Sequence, residues 1–269
     1  MSFSLIVICS IQVEYPTDVT NKTQAKSKRW VFKDSNFTIS TFWSPYLVKA
    51  NERYNQNDNK LQKRLTNLYL DEANTDWTSH MKSFDYVIIS AGRWFFGPKM
   101  FYERGHVFGC HWCMKADVKN YTMFNGYKRA FRTAFEALSG AEGFRGEVFL
   151  RTLSPAHFEG GEWNSGGECK RTRPVSRARA KLNWADSELY RSGVEVFREA
   201  EREGKRKGLK VRVLDVTEAM AARADGHPNR YGHWASENVS VADCVHWCLP
   251  GPIDTWNELL LHLLRDDKP

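Results

Sequence analysis

No stretch of the 269-residue chain stays apolar for the roughly 18–20 residues that a helix needs to cross a bilayer. The N-terminus has no basic region ahead of its short apolar run, Phe3–Cys9, so it does not read as a secretory signal, and the run is too short for a signal anchor. Either the protein is cytosolic or its targeting segment lies outside this sequence. No internal repeat recurs, and no Pro-, Gly- or Ser-rich linker divides the chain. The 39 Lys and Arg outnumber the 32 Asp and Glu, giving a formal charge of +7. That excess favours an anionic or polar partner, but no recognised nucleic-acid motif accompanies it. With 42% hydrophobic and 26% charged residues, wholesale disorder is excluded too.

What is present begins with rings and cysteines. Aromatic residues make up 13% of the chain, enough for a bulky core and for stacking on sugar rings. Asn-x-Ser/Thr sequons stand at Asn21, Asn36, Asn120 and Asn238, and the six cysteines are an even number. Together they favour an oxidising lumen and a disulfide framework. Zinc is the alternative use, with Cys110-x-x-Cys113 and Cys244-x-x-x-Cys248 as ligands and His111 or His246 as substitutes. The second spacing is unusual for zinc, and the sequons argue for oxidised cysteines, so no metal site is expected.

Periodicity predicts an α/β fold. Trp30–Phe32 and Phe37–Trp43 alternate as strands, Lys49–Lys63 is a polar loop, and Leu68–Met81 is read as a helix. Phe84–Ser90 is a continuous apolar strand of the kind buried on both faces of a parallel sheet. Helical spacing over Tyr127–Leu138 ends at Ser139-Gly140. A strand at Val148–Arg151, a helix over Trp184–Glu203 and a strand at Lys210–Leu214 follow. Thr255–Leu264, with Asp254 as its N-cap, closes the chain. Strand, helix, strand, helix, strand is the order of a parallel α/β sheet, read here as one domain over residues 1–269. The basic stretch Arg198–Arg212 alternates with Glu195, Glu199, Glu201 and Glu203, the pattern of a solvated helix face with i,i+4 pairs.

In such sheets, sites gather at the carboxyl ends of the strands. Gly92 and Arg93 follow the first strand. Arg151, His157, Trp163 and Asn164 follow the second, and Asp225–Trp234, which contains His233, follows the third. Loops that mix Gly and Asn with Trp and His suit carbohydrate, although Trp163 and Trp234 would serve equally as core caps. The sharpest local signal is Asp243-Cys-Val-His246. A carboxylate three residues before a histidine orients the ring through one nitrogen and leaves the other as a base, the Asp/His half of a hydrolase triad.

The segment Asp243–Asn257 (Asp-Cys-Val-His-Trp-Cys-Leu-Pro-Gly-Pro-Ile-Asp-Thr-Trp-Asn) resembles the C-terminal signature of the plant trichome birefringence-like proteins. Trp43–Lys49, Asp85–Trp94, Arg151–Cys169 and Asp225–His233 match the same family, so the resemblance covers nearly the whole chain. The Ile-Ile-Ser-Ala-Gly stretch and Cys-His-Trp-Cys look most like its xyloglucan-acetylating branch. The resemblance implies a three-layer SGNH/GDSL-esterase-like domain with a parallel sheet. It also implies Golgi membrane residence with a lumenal catalytic domain, and a polysaccharide O-acetyltransferase working by double displacement. In that scheme His246 is the base and Asp243 its orienter. Gly92 is an oxyanion candidate, and Arg151, His157, Trp163, Asn164 and His233 are substrate candidates. No cofactor is bound. An acetyl donor (acetyl-CoA or a derivative) is the co-substrate, and a xyloglucan-like polysaccharide is the acceptor. Cys169 is expected to pair with Cys244, and Cys9 and Cys248 with cysteines upstream.

The departures are as informative. The family nucleophile is the serine of a Gly-Asp-Ser motif, and the sequence has none. Its Asp-Ser pairs, Asp34-Ser35 and Asp186-Ser187, stand in the wrong places. Arg93 replaces the usual histidine. The implied reading is a chain that begins after the first strand–turn–helix and after the family's membrane anchor. Two rivals follow: a catalytically inactive glycan-binding remnant, and a carbohydrate acetyl esterase in which water outcompetes the sugar.

Overall fold

A computed structural model describes residues 15–21, 26–52, 65–113, 115–232 and 241–265. The chain divides into two compact units, one drawn from residues 1–43, 154–186 and 214–269, the other from 44–153 and 187–213. Trp234 and His233 lie outside the described residues, as do Cys9 and Asn238.

The second unit holds two sheets. In the first, β4 (Val48–Glu52), β5 (Thr66–Ala73), β7 (Lys99–Glu103) and β8 (His106–His111) lie in the order β4-β5-β7-β8. The β5–β7 pair is parallel, and its neighbours are antiparallel. In the second sheet, β9 (Glu147–Arg151) lies between β10 (Val211–Leu214) and β6 (Tyr86–Ile89), and β6 and β9 run parallel. This is the strand–helix–strand alternation expected of an α/β chain, with α2 (Met123–Ser139) between β6 and β9 and α3 (Trp184–Lys207) between β9 and β10. Helix α2 starts where the Thr122 hydroxyl accepts the Asn125 N–H at 3.3 Å. It buries Ala130, Phe131, Ala134 and Leu138, one helical stripe, and Phe131 meets Phe197 of α3 with ring centroids 5.3 Å apart.

Several expectations change on contact with the structure, beginning with the polar loop at Lys49–Lys63, whose described residues 49–52 belong to β4. Leu68–Met81 is not a helix. Residues 66–73 form β5, hydrogen-bonded on both edges, and only the single turn α1 (Thr75–Thr78) follows, capped by the Asn74 side chain. Leu68 and Leu70 alternate into the core at 0% and 1% exposure, and pairing on two sides outweighs a weak helical spacing. Strand β6 is shorter than the apolar run that contains it, and only Ile89 is fully buried, Tyr86 being 52% exposed. The acidic residues of α3 also pair differently. Lys128 lies 3.1 Å from Glu195 and Arg132 2.8 Å from Glu199, so these charges tie α3 to α2, while Lys207–Glu203 at 3.2 Å keeps the i,i+4 pattern. Strands β7 and β8, unanticipated from the sequence, join through Arg104 (φ 50°) and Gly105 (φ 77°), the two left-handed residues of a hairpin turn.

The first unit contains an antiparallel meander of β1 (Thr17–Asp18), β2 (Ser27–Phe32) and β3 (Phe37–Phe42), together with α4 (Thr217–Ala221) and α5 (Pro252–Arg265). Helix α5 begins two residues earlier than Asp254. Proline occupies its first position, and the Asp254 carboxylate accepts the Gly251 N–H at 2.8 Å, the half of a capping box that reaches back to the cap. Asn21, Asn36 and Asn120, the described sequon asparagines, are exposed.

Candidate active site

The loop that carries Asp243 and His246 is pinned from several sides within the first unit. Asn229 and Asp243 exchange both backbone hydrogen bonds at 2.9 Å. The Cys248 N–H reaches the Gly226 carbonyl at 2.9 Å, and the His157 N–H reaches the Cys244 carbonyl at 3.1 Å. Cys244 is disulfide-bonded to Cys169, with an S–S distance of 2.09 Å and Cα atoms 5.7 Å apart. Both sulfurs are buried with Ala242, against Phe158. Cys110 and Cys113 form a second disulfide in the other unit, which removes the thiolates that a zinc site would need. Among the described residues no cluster suited to a metal ion is found. Cys248 has no disulfide partner among the described residues, and its thiol pKa is raised by burial and by the nearby Asp243 charge.

Gly226 shows how tight this packing is. A Cβ built there would collide with the Pro252 ring at the start of α5 and press on Trp247 at 3.2 Å. Gly226→Ala is therefore expected to lower stability by about 1–3 kcal/mol, the usual cost of overpacking, read as a drop in the urea midpoint at constant slope.

Within the loop, one carboxylate does several jobs. Asp243 Oδ1 accepts the Val245 N–H at 3.2 Å and the His246 N–H at 2.9 Å, while Oδ2 lies 2.8 Å from His246 Nδ1. The Asp-x-x-His spacing thus closes a turn on itself, so that local geometry alone brings the ring to the carboxylate. With the Nδ1 hydrogen held by Asp243, the ring's lone pair is at Nε2, the tautomer a general base requires. The His246 side chain is 49% exposed, whereas Asp243 is 16% exposed. Burial pushes the Asp243 pKa up, but the hydrogen bonds from the His246 ring, the His246 N–H and the Val245 N–H outweigh it and hold the carboxyl down to about 2.

A carboxyl depressed below its ordinary 3.8 stabilises the fold above about pH 4, and that contribution disappears as the pH falls towards 2. Asp243→Asn is therefore expected to flatten the acid limb of a stability-against-pH curve in this range, as measured by urea denaturation at successive pH values.

The other sequence-derived site residues are distributed unevenly. Trp163, 51% exposed, and the exposed Asn164 sit at the tip of a loop whose base is the Glu159–Glu168 bridge, directly before Cys169. Trp163 is thus not a core cap. His157 is set behind the loop, its Nδ1 2.7 Å from His227 Nε2 and its Nε2 3.2 Å from the Ala221 carbonyl oxygen, which engages both ring nitrogens inside the protein. Gly92 and Arg151 belong to the second unit. Gly92 opens a short 3-10 turn after β6 with φ 168°, and a Cβ there would lie 3.3 Å from Leu153 and 3.5 Å from Leu189. Arg151, 8% exposed, spends its guanidinium on the Ser90 hydroxyl and the Thr152 carbonyl, tying the ends of β9 and β6 together. Burial lowers its pKa to about 10, which leaves it charged at neutral pH. Sequence reasoning named His227 only as part of the Asp225–Trp234 loop and gave Trp247 no role. His227 lies in the Asp-Gly-His-Pro segment and is 7% exposed, with its ring centroid 4.1 Å from that of Trp247.

The geometry is that of a hydrogen-bonded carboxylate–histidine pair, and comparison with known sequences identifies the family. Residues 1–263 match the PC-Esterase family, described as the GDSL/SGNH-like acyl-esterase family found in Pmr5 and Cas1p. The chain is a PC-esterase family member. Its α/β architecture with parallel strand pairs accords with an SGNH-like domain. It is 46% identical over 266 residues to trichome birefringence-like protein 19 of Arabidopsis thaliana, covering 98% of this chain and 62% of that protein. To xyloglucan O-acetyltransferase 4 of Populus trichocarpa it is 39% identical over 264 residues, covering 97% and 61%. To xyloglucan O-acetyltransferase 1 of Arabidopsis thaliana it is 35% identical over 250 residues, covering 91% and 56%. The PC-esterase chain described here therefore spans about three-fifths of the length of these relatives.

Proposed function

We propose that this chain is the acyl-transfer part of a cell-wall polysaccharide O-acetyltransferase, with xyloglucan as the acceptor class. The Asp243–His246 hydrogen bond at 2.8 Å is the observation that carries the reading, together with relatives named for xyloglucan O-acetylation. In this reading His246 Nε2 takes the proton of a serine hydroxyl as the serine oxygen attacks the carbonyl of an acetyl donor. The proton then passes to the departing donor group, which leaves an acetyl-serine. In the second half, Nε2 takes the proton of a sugar hydroxyl, that oxygen attacks the acetyl-serine, and the proton returns to serine. Asp243 keeps Nδ1–H aimed and stabilises the imidazolium that forms in each half. The serine is that of the family's Gly-Asp-Ser motif, which is not among the 269 residues. Trp163 and Asn164, exposed on one loop, are the proposed sugar contacts. His233, outside the described residues, is proposed for the same role.

This protein would act in the Golgi lumen, attached to the membrane through a segment of the longer protein. The sequons and the two disulfides support a lumenal location. The test is acetyl transfer from a donor to a xyloglucan oligosaccharide by a form that also carries the Gly-Asp-Ser segment, read by mass spectrometry of the sugar. Transfer to water with no acetylated sugar would favour the esterase reading. Binding of the oligosaccharide without either product would favour a glycan-binding protein.

A further inference from the structure

Two histidines lie behind the Asp243–His246 loop, and the outer nitrogen of each is engaged by a backbone carbonyl. His227 Nδ1 is 2.6 Å from the His246 carbonyl oxygen, and His157 Nε2 is 3.2 Å from the Ala221 carbonyl oxygen. A carbonyl oxygen only accepts, so both of these nitrogens carry a hydrogen. A neutral imidazole has a single N–H, and once that is on the outer side the inner nitrogen is a bare lone pair. Yet the inner nitrogens, His157 Nδ1 and His227 Nε2, stand 2.7 Å apart. Two lone pairs at that separation repel, whereas one proton between them makes a short N–H···N bond. Trp247 packs on both rings, at 4.1 Å from the His227 centroid and 5.7 Å from that of His157, so an indole lies beside any charge they hold.

We propose that His157 and His227 share one proton as an imidazole–imidazolium pair, and that this pair positions the backbone of the Asp243–His246 loop. The pair then bears three N–H groups on four nitrogens and one positive charge. It grips the loop twice, because His227 Nδ1–H holds the His246 carbonyl while the His157 main-chain N–H holds the Cys244 carbonyl at 3.1 Å. These two carbonyls belong to the turn in which Asp243 meets the His246 ring. The functional meaning rests on His246 being the base, and in that scheme His157 and His227 are positioning residues.

Of the ionisable groups on the surrounding elements, Asp186 accepts the Ala156 N–H at 3.2 Å and the Asn183 amide at 3.2 Å, Cys248 lies on the loop, and the others are ion-paired as follows. Arg223 holds Asp225 at 2.9 Å on the turn after α4, Asp243 holds His246 on the loop, and Arg171 holds Glu159 just beyond His157. Losing the shared proton would break the inter-ring bond at 2.7 Å. A second proton would place two cations at 2.7 Å, so the fold resists it.

The experiment is long-range 1H–15N correlation spectroscopy of residues 1–269 labelled at histidine ring nitrogens, at about pH 6.5–7. Three ring N–H protons on His157 and His227, one of them a downfield resonance correlated with both inner nitrogens, is the expected result. Two neutral rings with one N–H each, or four N–H groups, would overturn the shared proton. In His227→Ala the His246 Nδ1–H resonance should shift. His227→Asn, whose amide can still donate to the His246 carbonyl, should return it towards the wild-type position. An unmoved His246 resonance in His227→Ala, or no recovery in His227→Asn, would overturn the positioning role. If His227→Ala does not fold, the wild-type proton count and the His227→Asn spectrum decide. Failure of the base assignment reads differently: acetyl transfer would survive His246→Ala while the proton count on the pair stayed at three.

Discussion

In a form of the protein that carries the family's Gly-Asp-Ser segment, His246→Ala should abolish acetyl transfer, and Asp243→Asn should lower kcat by about 10³–10⁴ with little change in KM. The reason lies in the tautomer. Asp243 Oδ2 is 2.8 Å from Nδ1, and only a carboxylate there requires the ring hydrogen to sit on Nδ1. An asparagine amide can place its own N–H against Nδ1 instead. The hydrogen then moves to Nε2, where the base needs its lone pair. The loop should survive this change, since the asparagine carbonyl can still accept the Val245 and His246 N–H groups as Asp243 Oδ1 does. Near-normal transfer by His246→Ala would remove the base role. A KM rise with unchanged kcat in Asp243→Asn would reassign the dyad to binding.

The second large effect concerns the Cys169–Cys244 bridge, which closes a loop of 75 residues. In the chain-entropy treatment a loop of that length contributes about 4–5 kcal/mol by restricting the unfolded state, a large share of the stability of a typical domain. Cys169→Ser is expected to lower the urea midpoint accordingly. Cys244 sits one residue from Asp243 and at 0% exposure, so the change should also loosen the turn that aims His246. The check has two parts: denaturation with and without reductant, and the intensity of the His246 Nδ1–H resonance. Equal midpoints for the oxidised and reduced protein would show that the bridge contributes nothing to folding stability.

Much of the dyad was legible because it is local. Asp243 and His246 are three residues apart, and a turn closed by the Asp243 side chain brings them together with no help from distant chain. Periodicity was equally dependable for α2, whose apolar residues recur every three or four positions over 17 residues. It was less so for residues 66–73. There a short run containing Leu68, Tyr69 and Leu70 fits a helix or a strand about equally, and only its hydrogen bonds to β4 and β7 make it a strand. The α2–α3 ion pairs show the same limit, since Glu195 and Glu199 have cationic neighbours along their own helix and still turn to Lys128 and Arg132.

By itself the sequence determined an α/β chain, the long helices, a carboxylate–histidine turn before a C-terminal helix, and family motifs long enough to be specific. Each of these depends on neighbours within a few residues or on an unbroken string of letters. The tertiary structure alone decided which long-range partners meet. Arg151, placed by sequence among substrate contacts, is drawn inside to close the ends of two strands. His157, 70 residues from His227, faces it at 2.7 Å behind the loop. Sequence spacing carries no record of such distances, because they are set when apolar surface is buried and every enclosed polar atom must find a partner wherever the fold brings one.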